Sequence, residues 1–333
     1  MSTRDDWRPT ASAATLARRA ALLARTREFF AKRGVLEVDT PLLIGTAVTD
    51  VHIHSARVEL EASAPALHLA TSPEYAMKRL LAAGTGDIYQ IAHVVRAGER
   101  SRLHNPEFTL IEWYRLGFTL DALMSEVEAL VRELLGASGA ARTTERITYR
   151  DAFQRELGLD PLTAPIAELE DAASRRGLVA RRAAGAEARA AVGGDRDGLL
   201  DFLMGAVIGP ALGLGGLTFL HRYPASQAAL AELDAEDSRV ALRFELYCDG
   251  IELANGFREL ASSAEQRARF EHDRRARALG GLPVPHIDER LLAALEAGLP
   301  PCSGVALGFD RLLMIALGAR HIDEVLAFPI ERA

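Results

Sequence analysis

Residues 245–259 read Glu-Leu-Tyr-Cys-Asp-Gly-Ile-Glu-Leu-Ala-Asn-Gly-Phe-Arg-Glu and combine a strand–turn–strand pattern with three glutamates. The alternation of apolar and polar residues over Val240–Cys248 predicts a half-buried strand. Asp249-Gly250 predicts a tight hairpin turn, because glycine readily adopts the positive φ that such turns require. The return strand begins at Glu252, and Asn255-Gly256 predicts a bulge within it.

The three glutamates of this hairpin, Glu245, Glu252 and Glu259, are spaced seven residues apart. An odd spacing places neighbours on opposite faces of a straight strand, so only the turn and the bulge can bring the three carboxylates together. Clustered carboxylates repel one another unless cations lie among them. We therefore expect Mg²⁺ and an ammonium group at this hairpin; a solvated acidic hairpin is the alternative.

Composition restricts the class of protein. The 333 residues are 49% hydrophobic and 26% charged, which suffices for one large domain or two smaller ones. A net charge of −7 disfavours tRNA or DNA as the main partner. Cys248 and Cys302 show no paired spacing, which predicts a reducing compartment and no zinc site. The polar N-terminus and the lack of a long apolar run predict a cytoplasmic protein that does not span a membrane.

A helix start is predicted at Ser72-Pro73-Glu74, with Ser72 as N-cap, Pro73 in the first helical position and Glu74 in the first turn. Capping alone accounts for Ser72 and Pro73. Glu74 is also compatible with a purely electrostatic role at the helix N-terminus.

A second hairpin is predicted from a strand at residues 88–95, a charged loop and a return strand at residues 108–115. The first strand delivers Arg96, and Phe108 and Tyr114 share one face of the second. An arginine for phosphate and an aromatic ring for a base make this hairpin a candidate nucleotide platform. Simple packing of the two aromatic residues is the alternative.

Near the C-terminus, Gly304, Ala306 and Gly308 fall on one face of a predicted strand. Glycine weakens a strand, so we expect something to approach this face closely. A helix follows from Asp310. Arg311 lies in its first turn, where a cation opposes the helix dipole, and this favours a phosphate ligand.

These groups fit one pair of substrates. Arg96 and Arg311 suit a polyphosphate, and the glutamates suit Mg²⁺ and amino groups. The sequence contains no P-loop, kinase signature, nucleophile elbow or HExxH helix. ATP and a cationic amino acid, joined as an adenylate, are the economical interpretation, because positioning and charge neutralisation supply most of the rate of such a reaction.

The order of these motifs resembles that of the catalytic domain of class II lysyl-tRNA synthetases over nearly the whole chain. The three class motifs correspond to an extended segment at residues 35–43, here called the Pro41 segment, to the second hairpin with His-Asn-Pro-Glu-Phe at 104–108, and to residues 304–311. The Ser-Pro-Glu at 72–74 and residues 252–259 match the lysine-type subgroup. Because the first-motif helix begins near residue 11, no anticodon-binding domain is expected.

Three further segments resemble the truncated relatives of those synthetases, the elongation factor P (R)-β-lysine ligases. They are Tyr-Pro-Ala-Ser-Gln at 223–227, Glu-Trp-Tyr at 112–114 and Cys-Ser-Gly-Val-Ala at 302–306. The implied reaction is activation of (R)-β-lysine with ATP, followed by transfer to the ε-amine of a lysine on elongation factor P, without stable tRNA binding.

The resemblance also implies an α+β architecture, a class II aminoacyl-tRNA synthetase-like catalytic domain with an antiparallel sheet flanked by helices. It implies a single domain over residues 1–333, with a variable helical region at about 137–215. A homodimer is expected through the first-motif helix and the Pro41 segment.

The resemblance also implies roles for individual residues that match the family's motifs. It implies that Ser72, Pro73 and Glu74 hold the backbone-side amine of the substrate. It further implies that Tyr114 lies near the substrate carboxylate and that Glu259 pairs with the ε-ammonium. Arg96 and Arg311 are the implied catalytic residues, with Arg96 on the α-phosphate. The implied sets are, for the substrate, Ser72, Pro73, Glu74, Tyr114, Glu259 and Ala306; for ATP, Arg96, Ala97, Gly98, Asn105, Phe108, Glu252, Leu253, Gly308 and Arg311; and for Mg²⁺, Glu245 and Glu252.

Two positions depart from the synthetase pattern. The usual Arg-x-Glu of the second motif is Arg96-Ala97-Gly98, with the acidic residue displaced to Glu99. Either Glu99 reaches the adenine through a shifted loop, or the backbone around Gly98 does so. The middle glycine of the third-motif strand is Ala306, as the resemblance to the (R)-β-lysine ligases leads us to expect.

Two alternative functions are less compatible with the sequence. A ligase that uses α-lysine or acts on tRNA is disfavoured by the expected lack of an anticodon-binding domain and by the acidic composition. A non-catalytic synthetase paralogue is disfavoured because Arg96, Glu252 and Arg311 are all present.

We predict that Ala306→Gly improves the use of α-lysine relative to (R)-β-lysine. One methyl group in a tight pocket changes discrimination by about 1–3 kcal/mol, which is enough to disfavour an α-amino acid. ATP–pyrophosphate exchange with both isomers measures the effect. An unchanged ratio of the two activation rates would refute the prediction.

Overall fold

The structure, a computed structural model, describes residues 7–61, 65–178 and 196–333. The chain divides into two compact units. The first unit comprises residues up to 48, 53–142 and 288–333, and the second comprises residues 49–52 and 143–287.

The strands are β1 (Leu36–Glu37), β2 (Leu43–Ile44), β3 (Arg57–Val58), β4 (Leu67–Leu69), β5 (Ile88–Val95), β6 (Glu107–Leu116), β7 (Thr144–Thr148), β8 (Leu217–Pro224), β9 (Val240–Cys248), β10 (Ile251–Arg258) and β11 (Cys302–Gly308). In the first unit the order is β1-β5-β6-β11, and a separate sheet has the order β2-β4-β3. In the second unit the order is β10-β9-β8-β7. Pairing is antiparallel except at β1–β5 and β7–β8, so the expected α+β class with antiparallel strands is confirmed.

The α-helices of the first unit are Ala13–Ala31, Glu74–Ala82, Leu120–Leu135, Ala137–Ala140, Glu289–Gly298 and Phe309–Leu317. Those of the second unit are Tyr149–Leu157, Ile166–Arg175, Arg196–Leu203, Gly209–Ala211 and Ser263–Leu279, with a π-helical stretch at Met204–Ile208. The expected helical region at about 137–215 therefore contains helices, but it also contains the unpredicted β7. Part of it, residues 179–195, lies outside the described residues.

Aromatic packing fixes the first-motif helix on the sheet of the first unit. Phe30 stacks on Tyr89 of β5 at 4.3 Å and meets Trp113 of β6 edge-on at 5.3 Å. All three rings are buried, and such pairs add to the hydrophobic gain of burying them. The Pro41 segment, in contrast, forms only the short strands β1 and β2 and leaves Pro41 outside them.

The hairpin formed by β9 and β10, here called the central hairpin, has the predicted turn but a different bulge. Asp249 and Gly250 have φ values of 50° and 72°, the conformation of a two-residue hairpin loop. The pairing register shifts between Glu252 and Ala254, so the bulge lies at Leu253. The predicted bulge at Asn255-Gly256 is wrong, because both residues pair regularly with β9.

The prediction of a half-buried β9 is also wrong. Leu246 and Cys248 are buried on one face, and Glu245 and Tyr247 are buried on the other. A polar face can be buried in this way because its side chains satisfy one another, which alternation along one strand does not reveal.

Candidate active site

The face of β6 that carries Glu112 and Tyr114 forms the floor of the candidate site in the first unit. β11 pairs with β6 so that Ala306 lies opposite Glu112 and Gly304 lies opposite Tyr114. Side chains two residues apart share a face, so Phe108 lies on this side as well. The small-residue face thus borders a row of larger side chains.

Two hydroxyl groups hold Glu112. Ser72 Oγ donates to Glu112 Oε2 at 2.7 Å, and Tyr114 Oη donates to Oε1 at 2.8 Å. Glu112 is only 2% exposed, and these hydrogen bonds offset the cost of removing its carboxylate from water. The structure therefore brings Ser72 and Tyr114 together through a residue to which the sequence analysis gave no role. Its position two residues before Tyr114 on a strand was the available signal.

The helix that carries Glu74 begins at Glu74 itself, one residue later than predicted. Pro73 occupies the N-cap position rather than the first helical position, yet Ser72 Oγ accepts the Glu74 N–H at 3.0 Å, so the expected capping contact is present. Lys78 Nζ donates to Glu74 Oε1 at 2.6 Å, and Lys78 is 2% exposed. The i,i+4 spacing of this pair is the sequence signal for the contact.

Arg96 and Arg311 both lie close enough to His104 for their charges to lower its pKa. Arg311 Nη2 contacts His104 Nε2, and Arg311 Nε donates to the Leu103 carbonyl at 3.4 Å. The guanidinium of Arg96 lies 5.2 Å from the centre of the Phe108 ring. Both guanidinium charges lower the pKa of His104, so the structure places the two predicted phosphate ligands around the same ring.

His104 is neutral in this setting. Burial is the main cause that lowers its pKa, from 6.5 to about 4, and the charges of Arg311 and Arg96 add to it. Since Nε2 faces the Arg311 donor, Nδ1 carries the proton and donates to Ser101 Oγ at 2.7 Å. The two arginines therefore supply the positive charge here, and the ring between them adds none.

The loop after Arg96 depends on the conformational freedom of Gly98, whose φ is +81°. Ala97 N donates to the His54 carbonyl at 2.7 Å, which ties the start of the loop down. Glu99 Oε1 lies 3.9 Å from Arg96 Nη1, so the displaced acidic side chain turns toward the arginine. The contact of the adenine with either Glu99 or the backbone around Gly98 stays a prediction.

Asn105 is a buried part of the same loop. Its Nδ2 donates to the Glu107 carbonyl at 2.7 Å, and its Oδ1 accepts the Ile330 N–H at 3.1 Å. These contacts fix the loop, and the predicted contact of Asn105 with the adenine region stays a prediction. Of the other predicted ATP-binding residues, Gly308 ends β11 and Leu253 is buried in β10.

In the second unit, Glu245 and Glu252 lie on one face of the central hairpin. Glu252 pairs with Tyr247, which is two residues from Glu245 along β9. Arg243 Nη2 donates to Glu245 Oε1, and Tyr247 Oη donates to Oε2, each at 2.6 Å. Carboxylate oxygens retain further lone pairs after one hydrogen bond each. Mg²⁺ in proteins is usually held by one or two carboxylates together with substrate phosphates. The carboxylates of Glu245 and Glu252 therefore fit this ion.

The bulge at Leu253 sets the phase of the rest of β10. Glu252 pairs with Tyr247 and Asn255 pairs with Glu245, so residues three apart share one face because of the extra residue. Glu259 follows Asn255 by an even spacing, just past the end of the strand, and is 4% exposed. The sequence correctly required a bulge for this purpose but placed it two residues too late.

Within residues 7–61, 65–178 and 196–333, no group of three or more His, Cys, Asp or Glu side chains is arranged as a metal site. No helix in the same described residues is long and apolar enough to cross a membrane.

We predict that His104 makes stability sensitive to acid. Its pKa is lowered on folding, so its contribution is complete above about pH 6.5 and is lost as the pH falls toward about 4. His104→Gln should reduce the acid-induced loss in free energy of unfolding by on the order of 1 kcal/mol, measured by urea denaturation at near-neutral and acidic pH. The control His286→Gln changes an exposed histidine of the second unit and should retain the wild-type dependence. Equal acid sensitivity in both variants contradicts the prediction.

Comparison with known proteins confirms the resemblance. The family of class II tRNA synthetases (D, K and N) matches residues 5–332. The elongation factor P–(R)-β-lysine ligase of Vibrio cholerae is 50% identical over 335 residues, which cover 99% of this chain and 100% of that protein. The proteins of the same name from Proteus mirabilis and Salmonella paratyphi B are 48% and 47% identical, with complete coverage of both chains in each case. The chain therefore belongs to the class II tRNA synthetase family (D, K and N) and, within it, to the group named elongation factor P–(R)-β-lysine ligases.

Proposed function

We propose that this protein activates (R)-β-lysine with ATP and transfers it to the ε-amine of a lysine on elongation factor P. The observation that carries the proposal is the full-length identity of 47–50% to proteins named for this reaction. The buried polar groups of each unit, considered separately, support it: those of the first unit suit a nucleotide and an amino group, and those of the second suit a cation and an amino group.

The proposed reaction has two steps. A carboxylate oxygen of (R)-β-lysine attacks the α-phosphorus of ATP, and pyrophosphate leaves with the bridging oxygen. The ε-amine of the acceptor lysine then attacks the carbonyl carbon of the adenylate, an amide forms, the nitrogen loses a proton and AMP leaves. Neither step needs a covalent protein intermediate, so positioning and charge neutralisation can supply the rate.

We assign roles to residues of the first unit that are compatible with their contacts. Arg96 and Arg311 neutralise charge on the phosphates, and the neutral His104 holds the Arg311 side chain. Glu112, oriented by Ser72 and Tyr114, presents a fixed carboxylate and two hydroxyl groups to the amino acid. Such preorganised groups need no reorganisation when the substrate binds.

Residues of the second unit would bind the metal and the distal amine of the substrate. Glu245 and Glu252 would hold Mg²⁺, which when bound offsets the negative charge of the phosphates. Arg243 and Tyr247 orient Glu245 for this purpose. Glu259 would pair with the ε-ammonium of the substrate.

We further propose a homodimer formed through the Pro41 segment. Leu36, Leu42 and Leu43 are 53%, 41% and 39% exposed, which is a cluster of apolar side chains in the segment that the class II resemblance assigns to the subunit interface. A second copy of this chain is the occupant that this resemblance implies.

The enzymatic proposal predicts ATP–pyrophosphate exchange that depends on (R)-β-lysine, and AMP-forming transfer to elongation factor P but not to bulk tRNA. Arg311→Ala should lower exchange by about 10²–10³-fold, because one charge-stabilising donor is lost. The control Arg320→Ala changes an exposed arginine just beyond the same helix and should leave exchange unchanged. Aminoacylation of tRNA without labelling of elongation factor P would favour the alternative ligase instead.

The dimer proposal predicts that Leu43→Asp weakens self-association, because a charge would be buried at the interface. Sedimentation equilibrium over a range of protein concentrations measures the dissociation constant. Leu279→Asp is the matched control, since Leu279 is 88% exposed at the end of a helix outside the Pro41 segment. A monomeric wild type, or equal dissociation constants for the two variants, would count against the interface.

A further inference from the structure

Residues 229–234 form an additional strand-like segment beside Glu259, here called the bridging segment. Ala231 pairs with Glu259, and Leu233 pairs with Ala241 of β9, both antiparallel. Backbone hydrogen bonds bracket Glu259 on both sides: Glu232 N donates to the Arg258 carbonyl at 2.8 Å, and Leu260 N donates to the Leu230 carbonyl at 3.1 Å. The backbone of Glu259 is therefore fixed by the bridging segment.

The sequence of the bridging segment does not by itself favour this conformation. The run from Ala228 to Ala231 consists of alanine and leucine, which are strong helix formers. Ala229 has a φ of 49°, a left-handed value that costs a non-glycine residue on the order of 1 kcal/mol. Such a conformation persists only where surrounding contacts enforce it.

Arg269 supplies those contacts. Its Nη1 donates to the Ala229 carbonyl at 2.8 Å and to the Ala231 carbonyl at 2.7 Å, and its Nη2 pairs with Glu265 in the same helix. The guanidinium thus binds the carbonyl of the strained Ala229 and also the carbonyl of Ala231, which pairs with Glu259. Its side chain is 20% exposed, so these charge-assisted bonds are largely shielded from water.

We infer that Arg269 is a positioning residue that sets specificity for the terminal ammonium of the substrate, by holding the strand that fixes Glu259. This inference rests on the proposed role of Glu259. Glu259 is 4% exposed, and its backbone pairs with the bridging segment, so a displacement of that segment displaces the buried carboxylate as well. A displacement of about 1 Å in a substrate-positioning group is enough to lower a rate by about 10²-fold.

A double-mutant cycle on the full-length protein tests the inference. ATP–pyrophosphate exchange is measured for the wild type, Arg269→Ala, Glu259→Gln and the double variant, with (R)-β-lysine and with (R)-3-aminohexanoate, which lacks the terminal amine. Arg269→Ala should raise KM for (R)-β-lysine about tenfold, leave KM for ATP unchanged and reduce discrimination against the analogue. In the Glu259→Gln background it should have no further effect on discrimination.

Two variants serve as comparisons. Arg269→Lys should restore part of the discrimination, because one ammonium group can still reach a carbonyl. Arg275→Ala changes an exposed arginine on the same helix and should behave as the wild type. If Arg269→Ala does not fold, Arg269→Gln takes its place in the cycle.

The outcomes distinguish the role of Arg269 from the role of Glu259. Equal losses from Arg269→Ala in the wild-type and Glu259→Gln backgrounds would overturn the positioning role while leaving Glu259 in place. Unchanged discrimination in Glu259→Gln alone would overturn the role of Glu259 and the inference with it. Transfer to elongation factor P by the wild type tests the proposed function separately.

Discussion

A carboxylate that leaves water is stable in a protein interior only where donors or cations lie within hydrogen-bonding reach. In this protein one donor to each carboxylate is a tyrosine of the same strand. Glu112 accepts a hydrogen bond from Tyr114, and Glu245 accepts one from Tyr247, in each case two residues along the chain. The period of a strand places such residues on one face. Each unit therefore carries a fixed, buried carboxylate on the face of an antiparallel strand.

The same constraint applies to the positive charges. A protonated imidazole beside a guanidinium would be repelled by it, and His104 avoids this repulsion because burial and the charges of Arg96 and Arg311 lower its pKa and keep the ring neutral. At the helix start, Lys78 pairs with Glu74 and keeps a buried ammonium compensated. The charges of the first unit are thus organised by pairing before any substrate is present.

Where the carboxylates of the second unit point depends on the phase of the chain. The turn at Asp249-Gly250 reverses the strand, and the bulge at Leu253 inserts one residue into β10. Without the inserted residue, Asn255 and the residues that follow it by even spacings would face the other side of the sheet. The turn and the bulge therefore set which face of the sheet the carboxylates occupy. Arg269, from outside the hairpin, holds the backbone partner of Glu259.

The sequence by itself determined the elements whose signals are local. The strand at residues 88–95, the turn at Asp249-Gly250 and the helix that begins at Glu74 follow from periodicity, turn chemistry and capping, which act between near neighbours. It also determined the family, because several short motifs occur in the right order. Only the tertiary structure decided the bulge at Leu253 and the clamp by Arg269. A bulge is a choice of hydrogen-bond partners across strands, and a side chain reaches a carbonyl forty residues away only after the chain has folded.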